Sequence, residues 1–363
     1  MIKSNIKKVC IVVSSLGGGG AERSSALLSE MLDELGFEVH IVTVLNKVNY
    51  SYKGKLLNLG LLKSKDDSSW GRLKRLLVFK KYLRTHKFDY IIDNRTRIGF
   101  VKELIISKLV YSSIKIVYGV HSFKTRNYVH SNRVLGRWLY RSSYRIVCVS
   151  HMISDKLRAN YGFKNLETVY NSIALNSFNA LKNSNQNNGD YILFFGRIED
   201  SIKNLTLLID AYQMSKLPET NIKLILLGDG KDKHTLQQKV EQLNLNNHVL
   251  FFNYMAKPFQ MVRNALFTVL TSQYEGFPMS LVESLYLGVP VVSVNCNSGP
   301  SEIIINETNG LLVENNNPLA FADALNRMIE DKKLYLNCKS NATSSVEKFS
   351  MEKIGSQWKS ILN

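Results

Sequence analysis

Apolar residues come in short blocks along this chain, and the blocks alternate between two spacings. Near the N-terminus KKVCIVVSS is a continuous apolar run of strand length. LGGGGAERSSALLSEMLDELG then repeats its apolar positions at helical spacing, and FEVHIVTVL is again a strand. Strand, helix and strand in that order predict a βαβ unit and a parallel sheet. Further strands are predicted at 88–93, 114–120, 144–150 and 167–173. The stretch ALKNSNQNNGD, 180–190, is polar and turn-rich and interrupts the pattern. Beyond it the alternation resumes: YILFFGRI, IKLILLGDG, HVLFFN, LFTVLTS and PVVSVNC read as strands, with NLTLLIDAYQM and DKHTLQQKVEQLNL as helices between them. The expected architecture is α/β, two doubly wound Rossmann-like lobes with a cleft between them. Its expected divisions are an N-terminal domain at 1–178, a linker at 179–190, a C-terminal domain at 191–345, and a last helix at 346–363 able to pack on the first domain.

Length agrees with two cores, since 363 residues exceed what one core comfortably serves. No apolar run approaches the ~18 residues of a membrane-spanning helix, and the first residues run straight into a strand pattern. The four cysteines lack metal-ligand or redox spacing and read as small core residues in a reducing compartment. The expected location is cytoplasmic.

Charge alters this picture. The formal net charge is +17, but residues 1–180 hold 30 Lys and Arg against 12 Asp and Glu, a net of +18, and the remainder is close to neutral. An excess confined to one half suggests a polyanionic partner for that half alone. Two segments carry it. In WGRLKRLLVFKKYLRTHKF, Leu73, Leu76, Leu77 and Leu83 are expected on one helical face. Arg133, Arg137, Arg141 and Arg145 recur every four residues, with Val134, Leu135, Trp138 and Leu139 opposite, and no Asp or Glu occurs between Glu103 and Asp155. The plain reading is a solvated face on a helix whose apolar side enters the core. The functional one is a stripe for an anionic membrane surface, worth ~1 kcal/mol per basic side chain near the lipid. Nucleic acid is disfavoured, because no aromatic-rich basic sheet or reader motif is present.

The chemistry centres on QYEGFPMSLVESLYLGVP, 273–290. Glu275 and Glu283 stand eight positions apart, with Gly276, Phe277 and Pro278 between a predicted strand and a predicted helix. Pro278 suits the first helical position, where its missing N–H costs nothing. A helix N-terminus favours phosphate and carboxylates accept from sugar hydroxyls, so the segment suits a ligand with both parts. Arg197 follows one strand and Lys203 lies six residues on, which gives a candidate diphosphate clamp. GDG at Gly228 ends the next strand, where small residues would admit a flat base. In the first half, Gly18 and Gly19 lie in the glycine-rich turn and His121 directly follows a strand. The glycines miss the dinucleotide spacing, no acidic residue ends the second strand, and no P-loop is present, so nicotinamide and P-loop nucleotides are disfavoured.

Taken in order, GGGGAER, the GR…KN pair (Gly196, Arg197, Lys203, Asn204), GDG, EGFPMSLVE, and SGPSEII with NGLLV make the chain resemble the retaining family-4 glycosyltransferases of the GT-B fold. The resemblance runs over nearly its whole length. It implies that Arg197 and Lys203 bind the donor diphosphate, Glu275 with the 276–278 backbone the donor sugar, and Glu283 the ribose. His121 would face the donor sugar, Gly18 and Gly19 would lie near phosphates and acceptor, and the base would sit near Gly228 and Asn253. That last position is commonly glycine in the family. With no DxD pair in the sequence, no metal or other cofactor is expected. The expected activity is transfer of a hexose or N-acetylhexosamine, with retention, from a nucleotide diphosphate sugar, UDP-linked by expectation. The acceptor would be a polyprenyl-diphosphate-linked surface glycan of O-antigen or capsule type, reached by peripheral binding to the anionic inner leaflet. Two other readings stay open: a soluble GT-B epimerase or synthase, and a non-catalytic basic membrane-binding module.

Overall fold

The computed structural model describes residues 6–111, 114–173 and 190–363, so the expected linker, 179–190, lies outside the described residues except for its last position. The chain divides into two compact units: Met1–Ser172 with Met351–Asn363, and Ile173–Ser350.

The first unit is built on seven parallel strands: β1 Lys8–Val13, β2 Glu38–Thr43, β3 Lys55–Asn58, β4 Tyr90–Asp93, β5 Lys115–Val120, β6 Arg145–Cys148 and β7 Leu166–Thr168. Their order across the sheet is β3-β2-β1-β4-β5-β6-β7. β1, β2 and β4 bury nearly every residue, as sheets covered on both faces require. β3 was not predicted, because KLLN is short, lies at the sheet edge and buries none of its residues. The last helix, Met351–Leu362, belongs to this unit. Its Ile354, Trp358 and Leu362 join the core of Val9, Ile11, Met31 and Leu32, and Tyr144 Oη donates to the Ile361 carbonyl at 3.1 Å.

The second unit holds six strands: β8 Tyr191–Phe195, β9 Lys223–Leu227, β10 Val249–Phe252, β11 Thr268–Leu270, β12 Val291–Val294 and β13 Gly310–Val313. All run parallel, in the order β10-β9-β8-β11-β12-β13. In each unit the strand order reverses direction once, at β1/β4 and at β8/β11. Loops leaving the C-terminal ends of those two strands diverge to opposite sides, and the crevice they leave is where open α/β sheets take ligands.

Three expectations about the basic helices need correction. In Ser69–His86 the buried residues are Gly71, Phe79 and Leu83, while Leu73 and Leu77 face solvent. The arginine stripe is also shorter than its spacing suggests. The helix spans Arg133–Tyr140, Arg141 caps it, and Arg145 opens β6, where it pairs with Glu167 at 3.3 Å. A strand is extended, so the four-residue repeat breaks there. The apolar side enters the core at Leu139, 4% exposed, while Val134 is 76% and Trp138 44% exposed. Among the described residues no helix is long and apolar enough to cross a membrane.

Candidate active site

The second unit assembles its polar groups at the β8/β11 reversal. Arg197 follows β8 by two residues. Lys203 closes the short helix Asp200–Lys203, and Asn204, at φ 49°, turns the chain into the next helix. Glu275 lies five residues beyond β11. Two backbone ties hold these segments together: Gln273 N–H donates to the Ile202 carbonyl at 2.8 Å, and Thr271 Oγ1 to the Lys203 carbonyl at 2.9 Å. Their side chains meet directly. Lys203 Nζ lies 2.5 Å from Glu275 Oε1, and Ser272 Oγ donates to the same oxygen at 2.7 Å. Both charged side chains are largely shielded, 20% and 13% exposed.

The loop that carries Glu275 is fixed from its other side. Glu275 N–H donates to the Asn297 carbonyl at 3.1 Å, and Ser298 Oγ to the Gly276 carbonyl at 2.7 Å. Gly299 has φ 102°, and a Cβ there would lie 2.3 Å from Pro278 Cδ, so only glycine lets the two loops touch. The helix begins at Met279, with Pro278 as its cap rather than its first residue. Phe277 is buried, its ring edge-on to Phe349 at 5.0 Å. Glu283 is buried within the helix.

Arg197 pairs with a different carboxylate from the one that Lys203 meets. Arg197, more than half exposed, lies 3.7 Å from Glu199, whose other oxygen is 3.4 Å from Lys231. At the ends of β9 and β10, Lys233 donates to Asn253 Oδ1 at 2.6 Å and to Asp229 at 3.1 Å. The Tyr254 N–H and then Lys233 hold the Asp229 carboxyl below the usual carboxylate range. Gly228 has a reason other than room for a base: a Cβ there would fall 1.9 Å from the Gly196 carbonyl, so it lets two strand ends lie against each other. Lys231, Lys233 and Ser272 escaped the sequence reading as site residues, and Ser298 entered it only as the first residue of SGPSEII. Lys233 stands four residues after Asp229 on a helix start, a spacing that could have disclosed it. Among the described residues no three His, Cys, Asp or Glu side chains gather as a metal ion would need.

In the first unit Gly19 caps the helix Gly20–Glu34, and Gly18, at φ 99°, has Lys47 Nζ on the side where a Cβ would point. His121 follows β5. Both its ring nitrogens are buried without a hydrogen-bond partner among the described residues, and a small cavity of about 20 Å³ joins it to Ser24, Asn94 and Asn171. Burial, then Arg97, pushes its imidazole down to about 4, so the ring is neutral near pH 7. The segment after β4, DNRTR, was passed over in the sequence reading. Arg95 forms a buried pair with Asp93 at 2.6 Å and reaches Glu103 at 3.2 Å. Arg97 donates to the Asp93, Arg95, Gly119 and Tyr128 carbonyls and lies over the Tyr118 ring at 4.8 Å. Burial opposes ionisation of Asp93, yet Arg95 and Arg97 keep it below the usual carboxylate range. Its place after a switch-point strand was the available clue.

Comparisons with known proteins cover both units of the chain. Residues 18–177 match the family model "Glycosyltransferase Family 4" and residues 177–345 the model "Glycosyl transferases group 1". The chain is 30% identical to an N-acetylgalactosamine-N,N'-diacetylbacillosaminyl-diphospho-undecaprenol 4-alpha-N-acetylgalactosaminyltransferase of Campylobacter jejuni, over 96% of this chain and 97% of that protein. It is 24% identical to the amylovoran biosynthesis glycosyltransferase AmsD of Erwinia amylovora, over 98% and 99%. Among solved structures, a Staphylococcus aureus TarM mutant in complex with Fondaparinux, alpha-GlcNAc-glycerol and UDP superposes with TM-score 0.80 at 15% identity, covering 99% of this chain and all of that one. Anabaena HepE in complex with UDP and glucose gives 0.77 at 18%, covering 98% and 99%. At those identities the structures speak for the fold.

Proposed function

This chain belongs to the family-4 glycosyltransferases of the GT-B fold, and from that premise we propose that it moves a hexose or N-acetylhexosamine from a UDP-sugar to a polyprenyl-diphosphate-linked glycan, with retention at the anomeric carbon. The observation that carries the donor half is the Lys203–Glu275 pair at the β8/β11 reversal. A cation and a carboxylate held together at a ligand-binding crevice can each exchange the other for part of one ligand. In this reading Lys203 turns to the diphosphate with Arg197, and Glu275 turns to the donor-sugar hydroxyls. Glu283 takes the ribose, the 276–278 backbone supports the sugar, and Gly228 and Asn253 border the base, with Lys233 orienting Asn253.

In the reaction the bond between the anomeric carbon and the β-phosphate oxygen breaks, and the acceptor hydroxyl oxygen forms the new bond on the same face. Its proton passes to the departing phosphate, and the nucleoside diphosphate leaves. Negative charge grows on that phosphate as the bond lengthens, so fixed cations there stabilise the transition state more than the bound substrate. Arg197 and Lys203 supply the charge without a metal. In the first unit His121 offers a sugar hydroxyl one neutral hydrogen bond. The lipid-linked acceptor is favoured by the name of the Campylobacter relative and by the basic excess of the first unit. Exposed Arg133, Arg137 and Arg141 beside exposed Val134, Leu135 and Trp138 suit peripheral contact with the anionic cytoplasmic leaflet.

Ligand-observed NMR with a panel of nucleotide sugars tests the donor. Saturation transfer to a uridine and hexose or N-acetylhexosamine pair, lost in Lys203→Ala, is expected. Equal response to every base, or none, would reject the donor assignment.

A further inference from the structure

Apart from the candidate active site, the first unit holds a cavity of about 780 Å³. Its floor is the sheet, at Val12 and Val42, and its walls are Leu59, Leu76, Phe79 and Ile105 from three surrounding helices. Protein interiors pack to crystal-like density and hold few voids larger than a water molecule. A space of this size lies instead within the ~300–1,000 Å³ range of ligand pockets. It opens to solvent, because two lining residues, Leu73 and Val101, are exposed.

The polar lining is of one kind. Lys63, Arg72, Arg75 and Lys102 all line the cavity. Asp67, the acid among them, is engaged by Arg75 at 2.7 Å and by Arg72 at 3.8 Å. Four cations against one lining carboxylate, with Lys102 also 4.0 Å from Glu103, leave a net positive rim, and the helix Ser69–His86 that forms one wall contains no Asp or Glu. Arg95 also lines the cavity, but its charge is spent on Asp93 and Glu103. An occupant must therefore be hydrocarbon along its length and anionic at the end that reaches the rim. A flat or polar ligand would leave these aliphatic walls unmatched, and a bare anion would leave the cavity empty.

We propose that this cavity binds the isoprene units next to the diphosphate of a prenyl diphosphate lipid, with the diphosphate at the Lys63, Arg72 and Lys102 rim. The inference rests on the acceptor reading for its choice of an isoprenoid over a fatty acyl chain. Each methylene moved from water into such a space favours binding, as it does for lipid anchors.

Calorimetric titration of the full chain with farnesyl diphosphate, a water-soluble prenyl diphosphate, is the direct test. Binding is expected to be at least tenfold tighter than that of inorganic diphosphate. Leu76→Trp and Ile105→Trp, which fill the cavity from two different walls, should each weaken it at least tenfold. Circular dichroism and an unchanged UDP affinity would show that either variant is folded. Three results overturn the proposal: equal binding of diphosphate alone, no effect of either filling variant once folded, or displacement by dihexanoyl-phosphatidylglycerol as effective as by a prenyl diphosphate. A wild-type enzyme that glycosylates a prenyl-linked acceptor yet binds no farnesyl diphosphate rejects the cavity and spares the proposed function. Farnesyl diphosphate binding without transfer to any prenyl-linked acceptor does the reverse.

Discussion

The two units share a sheet plan and differ in what they expose. Each is a parallel sheet with one reversal of strand order, yet the second is nearly neutral in sequence and the first carries the whole excess of positive charge. In the second, cations at strand ends are matched with carboxylates: Lys203 with Glu275, Arg197 with Glu199, Lys233 with Asp229. In the first, the Ser69–His86 and Arg133–Tyr140 helices set a surplus of cations, beyond the Arg72 and Arg75 that share Asp67, beside exposed Trp70, Leu77, Val134 and Trp138. Matched charge suits a small ligand that exchanges partners during a reaction. Unmatched charge beside apolar surface suits an interface that is itself anionic outside and hydrocarbon within.

The sharpest way to break that contrast is to remove one member of the matched pair. Glu275→Ala leaves Lys203 without its 2.5 Å partner and the donor sugar without its proposed acceptor group. Loss of one such polar contact in a transition state costs on the order of 10²–10³ in rate. The expected kcat falls by about that factor in a transfer assay, with the thermal midpoint little changed because the loop keeps its Asn297 and Ser298 ties. Transfer within a few fold of wild type would remove Glu275 from the chemistry.

The next effect is on membrane binding. Changing Arg133, Arg137 and Arg141 together to Ala removes ~3 kcal/mol of attraction to an anionic surface at ~1 kcal/mol each, a partition loss of about two orders of magnitude. Vesicle sedimentation with phosphatidylglycerol measures it. Arg145→Ala, whose charge is already shared with Glu167, should have a much smaller effect. Equal losses for the triple and the Arg145 change would mean that the helix has no special role.

Most of the fold was readable because strand runs and helix periods are local. YILFF, KLILL and VVSV carry continuous apolar runs, and these became β8, β9 and β12. β3 escaped because a short, half-buried edge strand needs no such run. At the candidate site the residue types were legible and their partners were not. Nothing local joins Lys203 to Glu275, which are 72 positions apart in sequence. The arginine spacing misled for the complementary reason: a four-residue repeat persists in sequence whether or not the helix does, and here the strand pairing of Arg145 with Val117 ended it. Arg97 was invisible as a core residue, since only the converging carbonyls and the Tyr118 face make a buried guanidinium tolerable.

The smallest expected effect concerns acid stability and sets His121 against the paired charges of the other unit. Its folded value, about 4, lies below the ordinary 6.5. Above pH 6.5 the ring is neutral whether the chain is folded or not, and it adds no pH dependence. As pH falls from 6.5 towards 4 the unfolded chain takes up a proton that the folded one refuses, so stability declines over that window and levels off below it. The residue is partly exposed, so the loss to pH 4.5 should be on the order of 1–2 kcal/mol rather than the full linkage limit. Urea unfolding of wild type and His121→Gln at pH 7 and 4.5 isolates the contribution, since the carboxylates shared by both proteins cancel in the difference. Wild type should lose more stability than the variant by that amount. Parallel losses would mean that the imidazole takes up its proton as readily in the folded chain, and the neutral hydrogen-bonding role assigned to it would fall.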